Sequence, residues 1–233
     1  MKRCICVLIL CGFTAIASLA QDANALMKQV TDKLIKVQDY KAQATLKTNV
    51  PFIRIPQSAV DVYFKRPDKF RIRKEGGISV LPKGGITINI NSMLANNEFT
   101  AVPSGEASLN GVMLKVVQLL PTDRNGDVVL TTLYIDDKNY LIRKATTTTR
   151  DNGTYEMEME YGRFANWGLP DKVVFIFNTK DYRLPKGMTL EYEGGAKPPA
   201  NKTNKEQKGK IEVQYTNYII NKGVDDRVFS DSW

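Results

Sequence analysis

Two periodicities divide this chain. Over Asp22–Gln38, apolar residues fall at Leu26, Met27, Val30, Leu34 and Val37, a single stripe at helical spacing with Lys28, Lys33 and Lys36 off it, and this predicts an amphipathic helix. The stripe is expected to pack on a sheet, the alternative being a helix lying on a membrane surface. Downstream the period falls to two. Tyr155, Met157, Met159 and Tyr161 alternate with Glu156, Glu158 and Glu160, and Met188, Leu190 and Tyr192 alternate in the same way, so both stretches predict strands with one dry and one wet face. Val173–Phe177 is apolar on both faces, which predicts a strand in the middle of a sheet.

The stretch Val60–Glu75 predicts a hairpin. Pro67 fixes φ for a turn and pushes Arg66 into extended geometry, while the Asp68 side chain can bond the backbone just beyond it. Val60, Val62 and Phe64 share one face of the first arm, and Phe70 and Ile72 share one face of the second. All five numbers are even, so they lie on one side only if opposed residues sum to an even number, which requires an odd loop. The expected loop is Pro67-Asp68-Lys69, closing Arg66 against Phe70 and setting Tyr63 opposite Arg73 and Lys65 opposite Arg71. This hairpin then has one dry face and one wet, cationic face.

Further strands are predicted at Tyr40–Val50, Ile78–Leu81, Ile86–Ile90, Val112–Leu120, Val128–Ile135, Tyr140–Thr149 and Lys210–Ile220. Val50–Pro56 holds apolar residues between two prolines and is expected as an edge strand or a protruding loop. Asn91–Gly111 has no clear period, with one helical turn allowed at Ser92–Asn96, and Gly194–Gly209, rich in Lys, Pro, Asn and Gly, reads as a loop. About eleven strands and one helix make a mostly β protein, with the strands in one closed or half-closed sheet.

The order of helix, strand, Lys65-Arg66-Pro67-Asp68-Lys69-Phe70-Arg71 turn and strand meander, with a later hairpin carrying Leu133-Tyr134-Ile135-Asp136 and Ile142-Arg143-Lys144, resembles the LolA/LolB-like family of periplasmic lipoprotein carriers over 22–229. The resemblance implies a single domain over 21–233, built as one curved antiparallel sheet, a half-open β-barrel with the N-terminal helix packed in its mouth over an apolar cavity. The family's helical lid would fall near Asn91–Gly111, where this chain carries little helical signal.

Residues 1–20 begin Met-Lys-Arg, continue in a short apolar run and end Ser18-Leu19-Ala20, which predicts a secretory signal peptide cleaved near Ala20–Gln21 rather than a membrane anchor. Leu10 before Cys11 does not suit a lipidation site. Cleavage leaves 233 − 20 = 213 residues, lowers the net charge from +8 to +6 with the loss of Lys2 and Arg3, and removes all three cysteines. Because the chain has no histidine, the mature protein is expected to lack disulfides, zinc–thiolate sites, Cys nucleophiles and His general bases together. No metal or cofactor is expected. The basic balance suits anionic lipid or acidic partners, and nucleic acid is the least fitting for an exported protein.

Three groups of residues carry candidate chemistry. Asp123-x-Asn125-Gly126-Asp127 begins like a calcium loop, but Tyr134 stands where the bidentate Glu belongs, so a plain turn is expected. Glu156, Glu158 and Glu160, about 7 Å apart by strand rise, could serve acid–base work but read more simply as a solvated face beside lysines. Among the hairpin cations Lys65, Arg66, Lys69, Arg71, Arg73 and Lys74, those at Arg66, Lys69, Arg71 and Arg73 are candidates for contact with anionic head groups or a membrane partner, against an ordinary wet face. Tyr155, Met157, Met159, Tyr161, Met188 and Tyr192 are candidates to line an acyl-binding cavity, against ordinary core.

With the resemblance, these residues suggest a monomeric, periplasmic, non-enzymatic carrier of lipid or lipoprotein acyl chains. The alternatives are an RseB-like sensor binding a membrane regulator and, less in keeping with the residues, a carboxylate hydrolase on the glutamate strand.

Overall fold

The computed structural model describes residues 22–49, 57–74, 94, 99–123, 125–151, 153–178 and 208–230. A helix α1 spans 22–34, and ten strands follow: β1 (Asp39–Asn49), β2 (Ser58–Lys65), β3 (Lys69–Lys74), β4 (Phe99–Leu109), β5 (Val112–Pro121), β6 (Val128–Asp136), β7 (Leu141–Thr149), β8 (Thr154–Glu160), β9 (Lys172–Asn178) and β10 (Lys208–Ile220). All pair antiparallel in one open sheet of order β3-β2-β1-β10-β9-β8-β7-β6-β5-β4. This is the half-open barrel with an N-terminal helix that the sequence predicts, with ten strands among the described residues. β9 lies near the middle, as its apolar faces require: Val173, Val174 and Phe175 are all buried.

Alternation sets which side is dry. Tyr40, Ala42, Ala44 and Leu46 of β1, Val60, Val62 and Phe64 of β2, and Ile72 of β3 are buried with Met27, Val30 and Leu34 of α1 in one core cluster. The stripe thus packs on the sheet, and Val37 is buried just beyond the helix. Lys33 Nζ donates to the carbonyl of Asn139 at 2.6 Å in the β6–β7 turn, and to that of Ala165 at 3.4 Å in the short 3-10 helix Ala165–Trp167. Leu34 and Lys33 also press on Gly168, whose φ of 68° suits a residue without a β-carbon. α1 therefore plugs the mouth of the half-barrel where β2–β3, β6–β7 and β8–β9 turn.

A group of tyrosines fills the core at this end. Tyr218 stacks on Tyr215 at 5.0 Å and meets Tyr40 and Phe164 edge-on at 5.1 and 4.9 Å, and its hydroxyl donates to the carbonyl of Pro170 at 2.7 Å. Burial pushes the pKa values of Tyr40, Tyr215 and Tyr218 above the ordinary 10.0.

Three expectations are corrected. The hairpin loop is odd and its parity holds, but it comprises Arg66-Pro67-Asp68 with a cis Arg66–Pro67 bond, so Lys65 opposes Lys69 and Tyr63 opposes Arg71. The lysine pair is tolerated because the Asp226 carboxylate sits between them, 2.9 Å from Lys65 and 2.8 Å from Lys69. Second, β4 occupies a stretch without a clear period: it is an edge strand with a register shift between Pro103 and Glu106 and with Gly105 at φ 84°, features an edge tolerates and alternation cannot reveal. Third, Lys208 and Gly209 belong to β10 rather than to a loop, because Gly209 pairs with Phe177. The signal peptide at 1–20, the strands expected at 78–81, 86–90 and 188–193, and the segment 50–56 lie outside the described residues. Leu94, within the helical turn allowed at 92–96, is helical and packs on the core.

The tyrosine cluster predicts alkaline lability. A phenol held neutral in the folded state adds stability that is complete below 10.0, its value in the unfolded chain, and lost as the pH rises toward its folded value. Tyrosinate absorbance and far-ultraviolet circular dichroism should thus change together above that pH; free titration of these tyrosines in an intact sheet would contradict the packing.

Candidate ligand site

The inner face of the sheet carries two unbroken rungs of side chains, most of the first buried in the cluster that contains α1. One runs Val117, Leu133, Ala145, Met157, Phe175, Ile211 across β5, β6, β7, β8, β9 and β10; the next runs Leu119, Thr131, Thr147, Tyr155, Phe177, Gly209 across the same strands. Parity puts every one of these residues on the side that α1 occupies. The second rung lies at the opposite mouth, where β5–β6, β7–β8 and β9–β10 connect.

Phe175 and Phe177, with rings 5.4 Å apart, form a cluster separate from the one containing α1, joined by Tyr155 and Ile211. Tyr155 lies 5.1 Å from Phe175 at a tilt of 41°. These three rings make an aromatic shelf. Beside it, the Thr131 and Thr147 hydroxyls lie 3.1 Å apart, and burial raises the Tyr155 pKa, opposed in part by a hydrogen bond with Thr147. Gly209 is what lets the shelf close on β10: a β-carbon there would stand 2.5 Å from Cζ of Phe177.

The structure strings the candidate cavity residues along β8 rather than gathering them in one place. Tyr155 belongs to the shelf, Met157 and Met159 are buried in the α1 cluster, and Tyr161, just past β8, reaches the plugged mouth. There its hydroxyl donates to the carbonyl of Ile142 at 2.9 Å, with the Arg143 guanidinium 5.5 Å from its ring centre. Burial raises its pKa, against the opposing pull of Arg143. Met188 and Tyr192 lie outside the described residues. Phe175, Phe177 and Ile211 were not singled out by the sequence. The alternation of Val173, Phe175 and Phe177 is their signal, masked because Val174 and Ile176 make β9 apolar on both faces.

The charged candidates lie on the outer face. Glu156 pairs with Lys144, which lies 4.0 Å from Glu158, and Glu160 pairs with Lys172 at 3.1 Å, so the glutamate face is salt-bridged to neighbouring strands. Arg71 donates to the carbonyls of Phe229 and Ser230 at 2.8 and 2.9 Å, Arg73 donates to that of Ser230 at 3.3 Å, and Lys69 holds Asp226. Arg66 lies in the turn, its backbone N–H donating to the carbonyl of Gln38 at 2.8 Å. Asp123 accepts from the Asn125 N–H at 2.9 Å as a turn residue does, and among the described residues no group of three acidic, Cys or His side chains could hold a metal ion. Burial works against the charge of Asp136, but bonds from Asn139 and Arg143 outweigh it and hold the carboxyl below its usual range.

No family model and no curated protein matches the chain. Solved structures do. A domain named as an outer membrane lipoprotein-sorting protein from Vibrio parahaemolyticus superposes with a TM-score of 0.56 at 10% identity, covering 90% of this chain and 97% of that one. A DUF1329 family protein from Desulfovibrio piger gives 0.55 at 10% identity over 91% and 97%, and a LolA superfamily protein from Nitrosomonas europaea gives 0.53 at 11% over 89% and 97%. At such identities the likeness is one of fold, and the fold is the LolA-like half-barrel. Among the described residues no helix is long and apolar enough to cross a membrane.

The shelf makes a stability prediction. Gly209→Ala should cost about 1–3 kcal/mol in urea unfolding because the Phe177 ring must move, and Phe177→Leu should recover part of that cost in the double variant. Strictly additive effects would contradict the contact.

Proposed function

We propose that this protein is an exported, non-enzymatic carrier that binds the acyl chain of a lipid or lipoprotein against the inner face of its half-barrel, with the shelf of Tyr155, Phe175, Phe177 and Ile211 at the entrance. One observation carries the reading. α1 is about 20 Å long and roughly 10 Å across, whereas the ten described strands span roughly 43 Å, so α1 alone cannot cover the inner face. Apolar surface at the second mouth groups into a cluster of its own, apart from α1. The likeness to a lipoprotein-sorting domain and a LolA superfamily protein supports the same reading through the fold.

The chemistry of the rungs suits an acyl chain. Met157, Phe175 and Leu133 are buried, so an acyl chain would reach them by moving what covers them; each methylene it then buries contributes about 0.8 kcal/mol, and a flexible methionine beside aromatic rings accepts chains of varied shape. The polar groups on the second rung are the neutral hydroxyls of Thr131, Thr147 and Tyr155, with no lysine or arginine among that rung's residues. Such a rung fits an ester-linked chain better than a free carboxylate, because a buried anion needs a charged partner. The protein would work in the periplasm as a single domain over 21–233, releasing its chain to a membrane-bound acceptor.

Native mass spectrometry tests the proposal on protein purified from an exporting host. The expected result is a lipid adduct, removed by organic extraction and restored by a phospholipid. A clean apo mass, with no fluorescence change on adding a polyene fatty acyl probe, would overturn it.

A further inference from the structure

The outer face of the β2–β3 hairpin already holds a peptide. After β10 the chain turns at Asn221, whose side chain accepts from the Gln38 N–H at 2.8 Å, and Gly223 N–H donates to Asp39 at 3.0 Å. Residues 224–230 then lie across β2 and β3 on the side opposite Val62, Phe64 and Ile72. Asp225 caps a 3-10 turn, Asp226–Phe229, by accepting from the Arg227 N–H at 2.9 Å. That turn delivers three different groups to four cations. The Asp226 carboxylate bridges Lys65 and Lys69, the Phe229 ring lies 6.0 Å from the Lys69 ammonium, and the carbonyls of Phe229 and Ser230 take Arg71 and Arg73. Lys65 also donates to the carbonyl of Val224 at 3.2 Å.

We propose that this face is a docking surface for an acidic peptide segment of a partner protein, and that the chain's own 224–230 occupies it in the free protein. The match is to a peptide rather than a head group. One carboxylate, an aromatic ring three residues later and two successive main-chain carbonyls are read together, which a phosphate on a bilayer does not offer. The ion pairs within the contact are solvent-exposed, with side chains from 35% to 59% accessible, so each is weak and an incoming acidic segment can replace them one by one. The hairpin cations expected to meet anionic membrane groups would thereby meet an acidic protein segment. The inference does not depend on acyl binding, and its test involves no lipid cargo.

The test uses the full chain and a fluorescein-labelled peptide with the sequence of residues 221–233. With Asp226→Ala and Phe229→Ala introduced to loosen the occupying segment, the full chain should bind the peptide roughly tenfold more tightly than the unaltered chain, and Arg71→Glu in that background should abolish binding. The same peptide carrying Asp226→Lys should not bind. As a measurement free of variants, excess peptide should speed amide hydrogen exchange at 224–230 in the unaltered chain. Equal peptide binding with and without the loosening substitutions, indifference to Asp226→Lys, unchanged exchange, or binding of phosphatidylglycerol vesicles without peptide would each overturn the proposal.

Discussion

An antiparallel sheet that is dry on one side must have that side covered, and α1 by itself is much smaller than the surface to be covered. Strand parity sends Val62, Phe64, Leu133, Met157, Phe175 and Val213 to the same side across ten strands, so the inner face is a continuous apolar sheet and not a set of local patches. α1 and the tyrosines of β1 and β10 consolidate one mouth. What lies at the other is aromatic, with neutral hydroxyls beside it. The two ends differ in how they are packed: a tyrosine cluster and α1 at one, an aromatic shelf at the other.

Apart from Arg143 and Asp136, which pair beside Tyr161 at the plugged mouth, the charges described above lie on the outer face and largely meet partners there. The glutamates of β8 meet Lys144 and Lys172, Lys41 meets Asp61 at 3.0 Å, and the hairpin lysines meet Asp226. Such exposed pairs add little stability individually. Their arrangement nevertheless separates two kinds of contact: pairing within the sheet on β8, and pairing between the sheet and the C-terminal segment on β2–β3.

Much of this was legible in the residues. The helical stripe, the alternation in β8, the odd loop of the hairpin and the central position of β9 all rest on local periodicity, and each stands in the structure. The misses share a cause. The hairpin register puts Lys65 opposite Lys69, a pair made tolerable by Asp226, 161 residues from Lys65 in sequence, which no rule confined to Val60–Glu75 could supply. β4 escaped because its proline, glycine and bulge are affordable only at an edge, and edge position is a property of the whole sheet. The shelf escaped because β9 hides its inward set, Phe175 and Phe177, among outward valine and isoleucine, and because Gly209 signals a ring lying on it only once Phe177 is known to be its partner.

If the protein carries a lipid as proposed, the acyl chain enters over the shelf and lies along the two rungs of the inner face. Photo-crosslinking with a phospholipid carrying a diazirine on its acyl chain tests it most directly. Label mapped by peptide mass spectrometry to β8, β9 and β10, at Tyr155, Met157, Phe175, Phe177 or Ile211, is the predicted result. Label confined to the outer strand faces, or equal labelling of folded and urea-unfolded protein, would contradict it.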